Sequence, residues 1–162
     1  MNRWFGLAGA VVLLDQYTKF LAEKHLLLGL PQNVIEGFFS LRLAYNSGAA
    51  FSFLGDAGGW QRWFFITLAI AVSIWLVVWL AKLDRRDHLT AAALASILGG
   101  ALGNVYDRIV PSRAMVVDFL DFHVGGWHWP SFNIADIAIC VGAGLLIYLS
   151  ILDLRAPESR ER

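Results

Sequence analysis

The sequence predicts an α-helical integral membrane protein: four transmembrane helices with a small β-structure outside the bilayer. Three observations predict it. Apolar residues are in excess, uncharged apolar runs reach membrane-crossing length, and the unusual polar residues gather at one membrane side. Of the 162 residues, 57% are hydrophobic and 16% charged, against roughly 45–50% and 25% in soluble domains. Seven Trp and eleven Phe add to the excess, and mean hydropathy is +0.57. A soluble chain of this length, one domain by size, has too little interior to hide that much apolar surface. The composition also excludes a disordered chain, which is polar and charged. Thirteen basic and thirteen acidic residues give a formal net charge of zero, which argues against the basic face of a nucleic-acid binder. Cys140 is the one cysteine; it excludes an internal disulfide and a cysteine metal cluster, and it reads as a core residue.

A membrane-crossing helix needs ~20 mostly apolar residues. The first candidate, Trp4 to Ala22, is apolar except for Asp15, Gln16, Tyr17, Thr18 and Lys19. It admits two readings. A secretory signal peptide would begin with a basic segment such as MNR and a short apolar run. The interruption by Asp and Lys, and the lack of a small-x-small cleavage site after the run, favour a retained first span. Trp63 to Ala81 carries no charge and is the clearest span. Leu89 to Tyr106 is also uncharged, and Gly99, Gly100 and Gly103 suit close helix packing in lipid. The fourth span runs to Leu152; it reaches the required length when it begins near Asn133 and includes Asp136. Four spans put both termini on one side. That side holds Arg3, Lys82, Arg85, Arg86, Arg155, Arg160 and Arg162 in short segments. Lys24, Arg42, Arg62, Arg108 and Arg113 are spread along much longer loops opposite. The density of positive charge therefore places both termini inside.

The outer loops run over 23–62 and 107–132. In the first, Phe38 to Tyr45 mixes apolar and polar residues with β-formers, and Phe51 to Leu54 follows a turn at Asn46-Ser47-Gly48. This reads as a small hairpin or sheet. Gly55 to Trp60 is turn-like, and Trp60 and Trp63 suit a membrane interface. The second loop holds another strand-like run, Met115 to Val124. No internal repeat or separate soluble domain interrupts the chain, so 1–162 reads as a single membrane domain with a polar tail over 153–162.

With antiparallel spans, the unusual polar residues fall on the outer side. Asp15 and Lys19 lie in the second half of span one, and Asn46 in the first outer loop. Asn104, Asp107 and Arg108 end span three, Asp118 and Asp121 lie in the second loop, and Asn133 and Asp136 open span four. Ionisable groups at membrane depth are costly and mark function. Each has a plainer role as well. Asp15 and Lys19, four apart, can neutralise each other. Asn104 and Arg108 share that spacing and can tie down a helix end. Asn133 and Asp136 can form an N-cap. Asp107 can pair with Arg108, and Asp121 reads as solvated. His123 and His128 match no metal-binding helix motif and read as interfacial.

The chemistry that needs only such groups is that of paired carboxylates. No serine triad context and no glycine-rich phosphate loop is present. Two Asp side chains about 3 Å apart cannot both ionise and share one proton. The ionised member is a base for water, and the protonated member polarises a carbonyl. Composition and pattern alone leave open which two Asp residues pair.

Five blocks carry a closer likeness: Asp15-Gln16-Tyr17-Thr18-Lys19, Tyr45 to Ser52 (YNSGAAFS), Gly103 to Arg108 (GNVYDR), Val117-Asp118-Phe119, and Phe132 to Asp136 (FNIAD). In this order the chain resembles bacterial lipoprotein signal peptidases, the signal peptidase II family. The resemblance implies a four-span aspartic endopeptidase of the bacterial cytoplasmic (inner) membrane, with both termini cytoplasmic and the site near the extracytoplasmic face. It implies substrates that are diacylglyceryl-modified prolipoproteins, cleaved before the lipidated lipobox Cys, and inhibition by globomycin. It implies Asp118 and Asp136 as the catalytic pair. Asp15, Lys19, Asn46, Gly48, Asn104, Arg108 and Asn133 match positions that shape the site or hold substrate. No metal, cofactor or nucleic acid is implied; the partners are substrate and membrane lipid, and the protein is expected as a monomer. The family also carries a small extracytoplasmic sheet cradle, fitting 38–54, and a short outer helix, fitting 55–61. One departure is the interval IVPSRAMVV between Arg108 and Asp118, slightly longer than the family pattern.

Two other classes compete. A four-span transporter or channel subunit would carry polar residues through the whole membrane depth and would show repeat symmetry; spans two and four are nearly bare of them on the inner half. A non-catalytic scaffold gives no reason for outer Asp residues in such settings.

Overall fold

Three of the long helices are apolar enough to cross a membrane by length and composition. They are α2 (Trp60–Lys82), α3 (His88–Ile109) and α4 (Ile134–Arg155), with mean hydropathies of 2.5, 1.4 and 2.3 over their most apolar windows. The fourth long helix, α1 (Asn2–His25), is as long but carries Asp15, Lys19, Glu23 and Lys24 in its second half. The computed structural model describes residues 2–48 and 58–155.

The helix α3 is the centre of the bundle and packs against α1, α2 and α4. Its small residues make this possible. A Cβ at Gly99 would stand 2.7 Å from both the Ala8 carbonyl and Val11 Cβ, and one at Gly100 would collide with the Ala135 carbonyl. Gly142 of α4 returns the favour, since its Cβ would meet the Ala93 carbonyl at 2.6 Å. Small residues at such crossings let backbones touch where lipid supplies no hydrophobic drive. One apolar cluster, Ala8, Leu76, Leu80, Ala91, Leu94, Ala95 and Leu98, joins α1, α2 and α3 away from the polar end.

Outside the bundle lies an antiparallel sheet of β1 (Gln32–Ile35), β2 (Phe39–Asn46), β3 (Val116–Val124) and β4 (Trp127–His128), in that order. A second apolar cluster seats it on the end of α1: Ala22 and Leu26 of the helix side meet Leu43, Val117 and Phe119 of the strands. The β2–β3 register slips between Leu41 and Ala44, a bulge of the kind that re-aims side chains beside sites. The β3–β4 turn is Gly125-Gly126, with φ of 55° and 84°. A two-residue hairpin with positive φ at both centres needs glycine or a close substitute.

The strand-like runs at 38–45 and 115–124 are therefore strands, but β2 pairs with β1 and β3. The short β1 carries too weak a pattern to be read from sequence. The expected strand at Phe51–Leu54 lies outside the described residues, as do residues 55–57 of the expected outer helix. In its described part, 58–61, Gly58 and Gly59 form a turn, and α2 begins at Trp60. Cys140 is exposed, not a core residue. The face of α4 that meets α3 carries Ala135 and Gly142; Cys140 is five residues from Ala135, about 140° around the helix, and points away.

Candidate active site

The C-terminal ends of α1 and α3 and the N-terminal end of α4 converge beneath β3, and a polar residue from each of the five sequence blocks meets the others there. The first element is a buried cation. Lys19 Nζ lies 2.8 Å from Asp15 Oδ2 and 2.6 Å from Asp107 Oδ2, and it donates to Asn104 Oδ1 at 3.0 Å. Asp15, Lys19 and Asp107 are fully buried. A charge buried like this requires opposite charges and hydrogen bonds around it, and Lys19 has both. Gly103 makes room for the group, since a Cβ there would stand 2.6 Å from Asp15 Oδ2.

Asp15 also reaches the start of α4. Its Oδ1 accepts from the Ala135 backbone N–H at 2.9 Å. The next N–H, of Asp136, donates to Asn133 Oδ1 at 3.0 Å, and Asp136 Oδ2 accepts from the Asn133 N–H at 3.2 Å. This reciprocal pair is a capping box with Asn at the cap and Asp three residues on. Unpaired N–H groups at a helix start need such acceptors, and the helix dipole favours the negative charge of Asp136 there.

Asp118 arrives from β3. Its Oδ1 accepts from Asn133 Nδ2 at 2.8 Å and its Oδ2 from Asn46 Nδ2 at 3.2 Å. Asp136 Oδ1 accepts from Asn104 Nδ2 at 2.8 Å, and Asn133 Nδ2 also approaches Asn104 Oδ1 at 3.2 Å. The two carboxylates are thus joined through two asparagines. Each of their four oxygens accepts from a neutral N–H and keeps a second lone pair for a water or a substrate. Two cations lie near: Lys19, matched by Asp15 and Asp107, and Arg108, whose charge acts on both Asp136 and Asp118.

Burial pushes the Asp118 carboxyl up to about 7, and the neighbouring Asp136 charge adds to the rise. The amides of Asn46 and Asn133 and the charge of Lys19 oppose it. A carboxyl that titrates near neutrality can hold a proton or release it during a reaction.

Arg108 and Gly48 close one side. Arg108 Nη2 donates to the Gly48 carbonyl at 2.6 Å and Nη1 to the Asn104 carbonyl at 3.2 Å. Its guanidinium lies 5.3 Å from the Phe65 ring centre, and Arg62 Nε caps the Arg108 carbonyl at 2.7 Å. Gly48 N–H donates to Asn46 Oδ1 at 2.9 Å, which orients the Asn46 amide toward Asp118.

The structure corrects three plainer readings. Asp107 pairs with Lys19 and with Arg113, whose Nη1 lies 2.7 Å from Asp107 Oδ1, rather than with Arg108. Asn104 ties Arg108 through its backbone carbonyl; its side chain serves Lys19, Asn133 and Asp136. Asp121 is fully buried rather than solvated, because the β3–β4 hairpin brings His128 onto it.

Several supporting residues escape a reading by motif alone. Gln16 Nε2 donates to Asp107 Oδ1 at 3.0 Å and to the Gly103 carbonyl at 3.1 Å. Arg113 joins Glu23 Oε2 at 2.6 Å and Gln16 Oε1 at 2.9 Å. It sits in the interval that departs from the family pattern, and Ala114 beside it has a φ of 57°. The spacing of Asp15, Lys19 and Glu23 on one face of α1 is the signal that could have exposed this line of charge.

Fold and site together define a helical membrane protein with a polar centre under a small antiparallel sheet. A bacterial membrane enzyme solved by the in meso method at 2.3 Å resolution matches it with a TM-score of 0.87 and 30% identity, covering 100% of this chain and 95% of the other. A second bacterial membrane enzyme, solved at 1.9 Å, matches with a TM-score of 0.79 and 31% identity over 92% of each chain. The family model for Signal peptidase (SPase) II matches residues 7–152. The lipoprotein signal peptidase of Ralstonia nicotianae is 56% identical over 89% of this chain and 81% of its own. That of Teredinibacter turnerae is 51% identical over 96% and 91%. The chain belongs to the signal peptidase II family, and is thus a membrane protease.

Proposed function

We propose that this chain is an aspartic endopeptidase that removes signal peptides from diacylglyceryl-modified prolipoproteins, cutting before the lipidated Cys. Asp118 and Asp136 are the catalytic pair. One observation carries the reading: two carboxylates from different elements are bridged by Asn133 and Asn104, and neutral N–H donors hold both. Such donors leave the pair free to share one proton, where paired cations would hold both members ionised. The ionised Asp takes a proton from water as it attacks the scissile carbonyl. The protonated Asp donates to the developing oxyanion. As the C–N bond breaks, the proton on the first reaches the leaving amine and the hydroxyl made from the carbonyl oxygen returns its proton to the second, so the pair regains its starting charge.

Asn133, Asn104 and Asn46 orient the two carboxyls. Asp15, Lys19 and Asp107 fix the start of α4 against α1 and α3. Arg108 and Gly48 shape the side where the peptide backbone lies. The reading takes α1 as a fourth span, with 1–162 as one membrane domain, both termini cytoplasmic and the site at the extracytoplasmic face. The enzyme acts as a monomer in the inner membrane, and globomycin inhibits it. A lipidated signal helix reaches the site by diffusing in the bilayer plane.

The test is a gel-shift assay with purified protein, in detergent and in lipid, and a diacylglyceryl-modified prolipoprotein. Wild type cleaves; Asp118→Asn and Asp136→Asn, folded and inserted, do not. Substantial cleavage by either variant removes that Asp from the pair. A silent wild type in both settings, beside an active control enzyme, overturns the activity.

A further inference from the structure

The hairpin β3–β4 carries a second cluster of chemistry, separate from the paired carboxylates. Asp121 and His123 are two apart on β3 and so share one face of the strand. His128 lies directly across from His123, in the register set by the Gly125-Gly126 turn. The two imidazoles stack, with ring centres 4.9 Å apart. Asp118 is three residues from Asp121, hence on the other face of β3.

The three side chains converge. One ligand atom from each of Asp121, His123 and His128 lies within 4.8 Å of the other two. His128 Nδ1 is 2.9 Å from Asp121 Oδ1 and 3.0 Å from Oδ2. His123 Nδ1 is 4.0 Å from Asp121 Oδ2, too far for a hydrogen bond. That nitrogen is buried and has no hydrogen-bond partner among the described residues. A buried, unpaired polar nitrogen facing a buried carboxylate calls for an explanation.

We infer that Asp121, His123 and His128 form a binding site for a divalent transition-metal ion of the zinc class. Ligand atoms sit about 2.0–2.2 Å from such an ion, so two of them on a tetrahedral centre are about 3.3 Å apart. The observed 2.9 and 4.0 Å lie on either side of that value. Small side-chain shifts bring all three onto one ion and give His123 Nδ1 its missing partner. Two imidazoles and one carboxylate suit zinc, cobalt or nickel and not magnesium or calcium. The His128 side chain is 42% exposed, so the ion has a route in and solvent can take the remaining position. The site is not needed for carboxylate chemistry, and its test does not depend on the hydrolytic reading.

The test uses full-length, tag-free protein in detergent, stripped of metal with chelator. Zinc is titrated by calorimetry, and cobalt is followed by its visible absorption. The expected result is saturable binding of one ion per chain, with cobalt bands of low-coordinate, nitrogen- and oxygen-ligated metal. His123→Ala, His128→Ala and Asp121→Asn each weaken zinc binding by about tenfold or more, while His25→Ala, remote on α1, leaves it unchanged. His128→Ala alters an exposed residue and serves where the Asp121 variant does not fold. No saturable binding, or binding that survives loss of both histidines, overturns the site.

Discussion

Asn133 and Asp136 cap each other. The N–H of Asp136 donates to Asn133 Oδ1 at 3.0 Å, and the N–H of Asn133 donates to Asp136 Oδ2 at 3.2 Å. The side-chain amide of the same Asn133 donates to Asp118 at 2.8 Å. A helix cap and the alignment of two carboxyls are thus the work of one side chain, and the two roles can be separated by mutation.

Asn133→Ala removes both. Stability falls by about 1 kcal/mol through the lost cap. Activity falls by about 10–100-fold, the worth of one hydrogen bond to a charged group, which is less than the loss in either Asp variant. Asn133→Ser keeps a good cap but loses the donor to Asp118 without adding a charge, so its stability is closer to wild type while its activity falls as in the alanine variant. Thermal unfolding and kcat, measured side by side, check the separation.

Hydrolysis should weaken as the solution turns basic. With Asp118 titrating at about 7, the basic limb of kcat/KM for the free enzyme lies near pH 7, where the shared proton leaves. Stability follows the same group. Its carboxyl is raised above the unfolded value of 3.8, so between about pH 4 and 7 the folded chain binds more protons than the unfolded chain. Stability therefore falls as pH rises through that window. Asp118→Asn removes this part of the slope. Unfolding midpoints of wild type and variant from pH 4 to 8 test the sign.

Lys19→Met leaves Asp15 and Asp107 buried without the cation between them. Breaking a buried pair from one side costs about 3–5 kcal/mol. The variant should unfold at much lower temperature, and its residual activity should track the folded fraction, since Lys19 acts by positioning. An unchanged melting temperature would contradict this role.

Gly103→Ala forces a methyl to within 2.6 Å of Asp15 Oδ2. Overpacking of this kind costs about 1–3 kcal/mol, and here it also pushes Asp15 off the Ala135 N–H. Gly144→Ala, where nothing lies within 4 Å of the added carbon, should be neutral or slightly stabilising. The pair of melting temperatures distinguishes a crowding effect from a general intolerance of alanine.

What depends on near neighbours can be read along the chain. The helices are legible because an apolar run of span length has few other places to go. Gly99, Gly100 and Gly103 announce a close helix crossing, and Asn133 with Asp136 announces a cap. The five polar blocks announce one site, because each is costly at membrane depth and all fall at the same side. The tertiary structure alone decided the partnerships. Asp15 caps a helix 120 residues away at Ala135, and Lys19 meets Asp107 rather than leaving it to the adjacent Arg108. Asp121 is buried by a hairpin, and Cys140 faces outward because α4 offers α3 a different side. The reason is physical. Spacing along a helix or strand fixes which residues share a face. Which face meets which, and hence which charge finds which, is set only when the packed elements bring distant segments within a few ångströms.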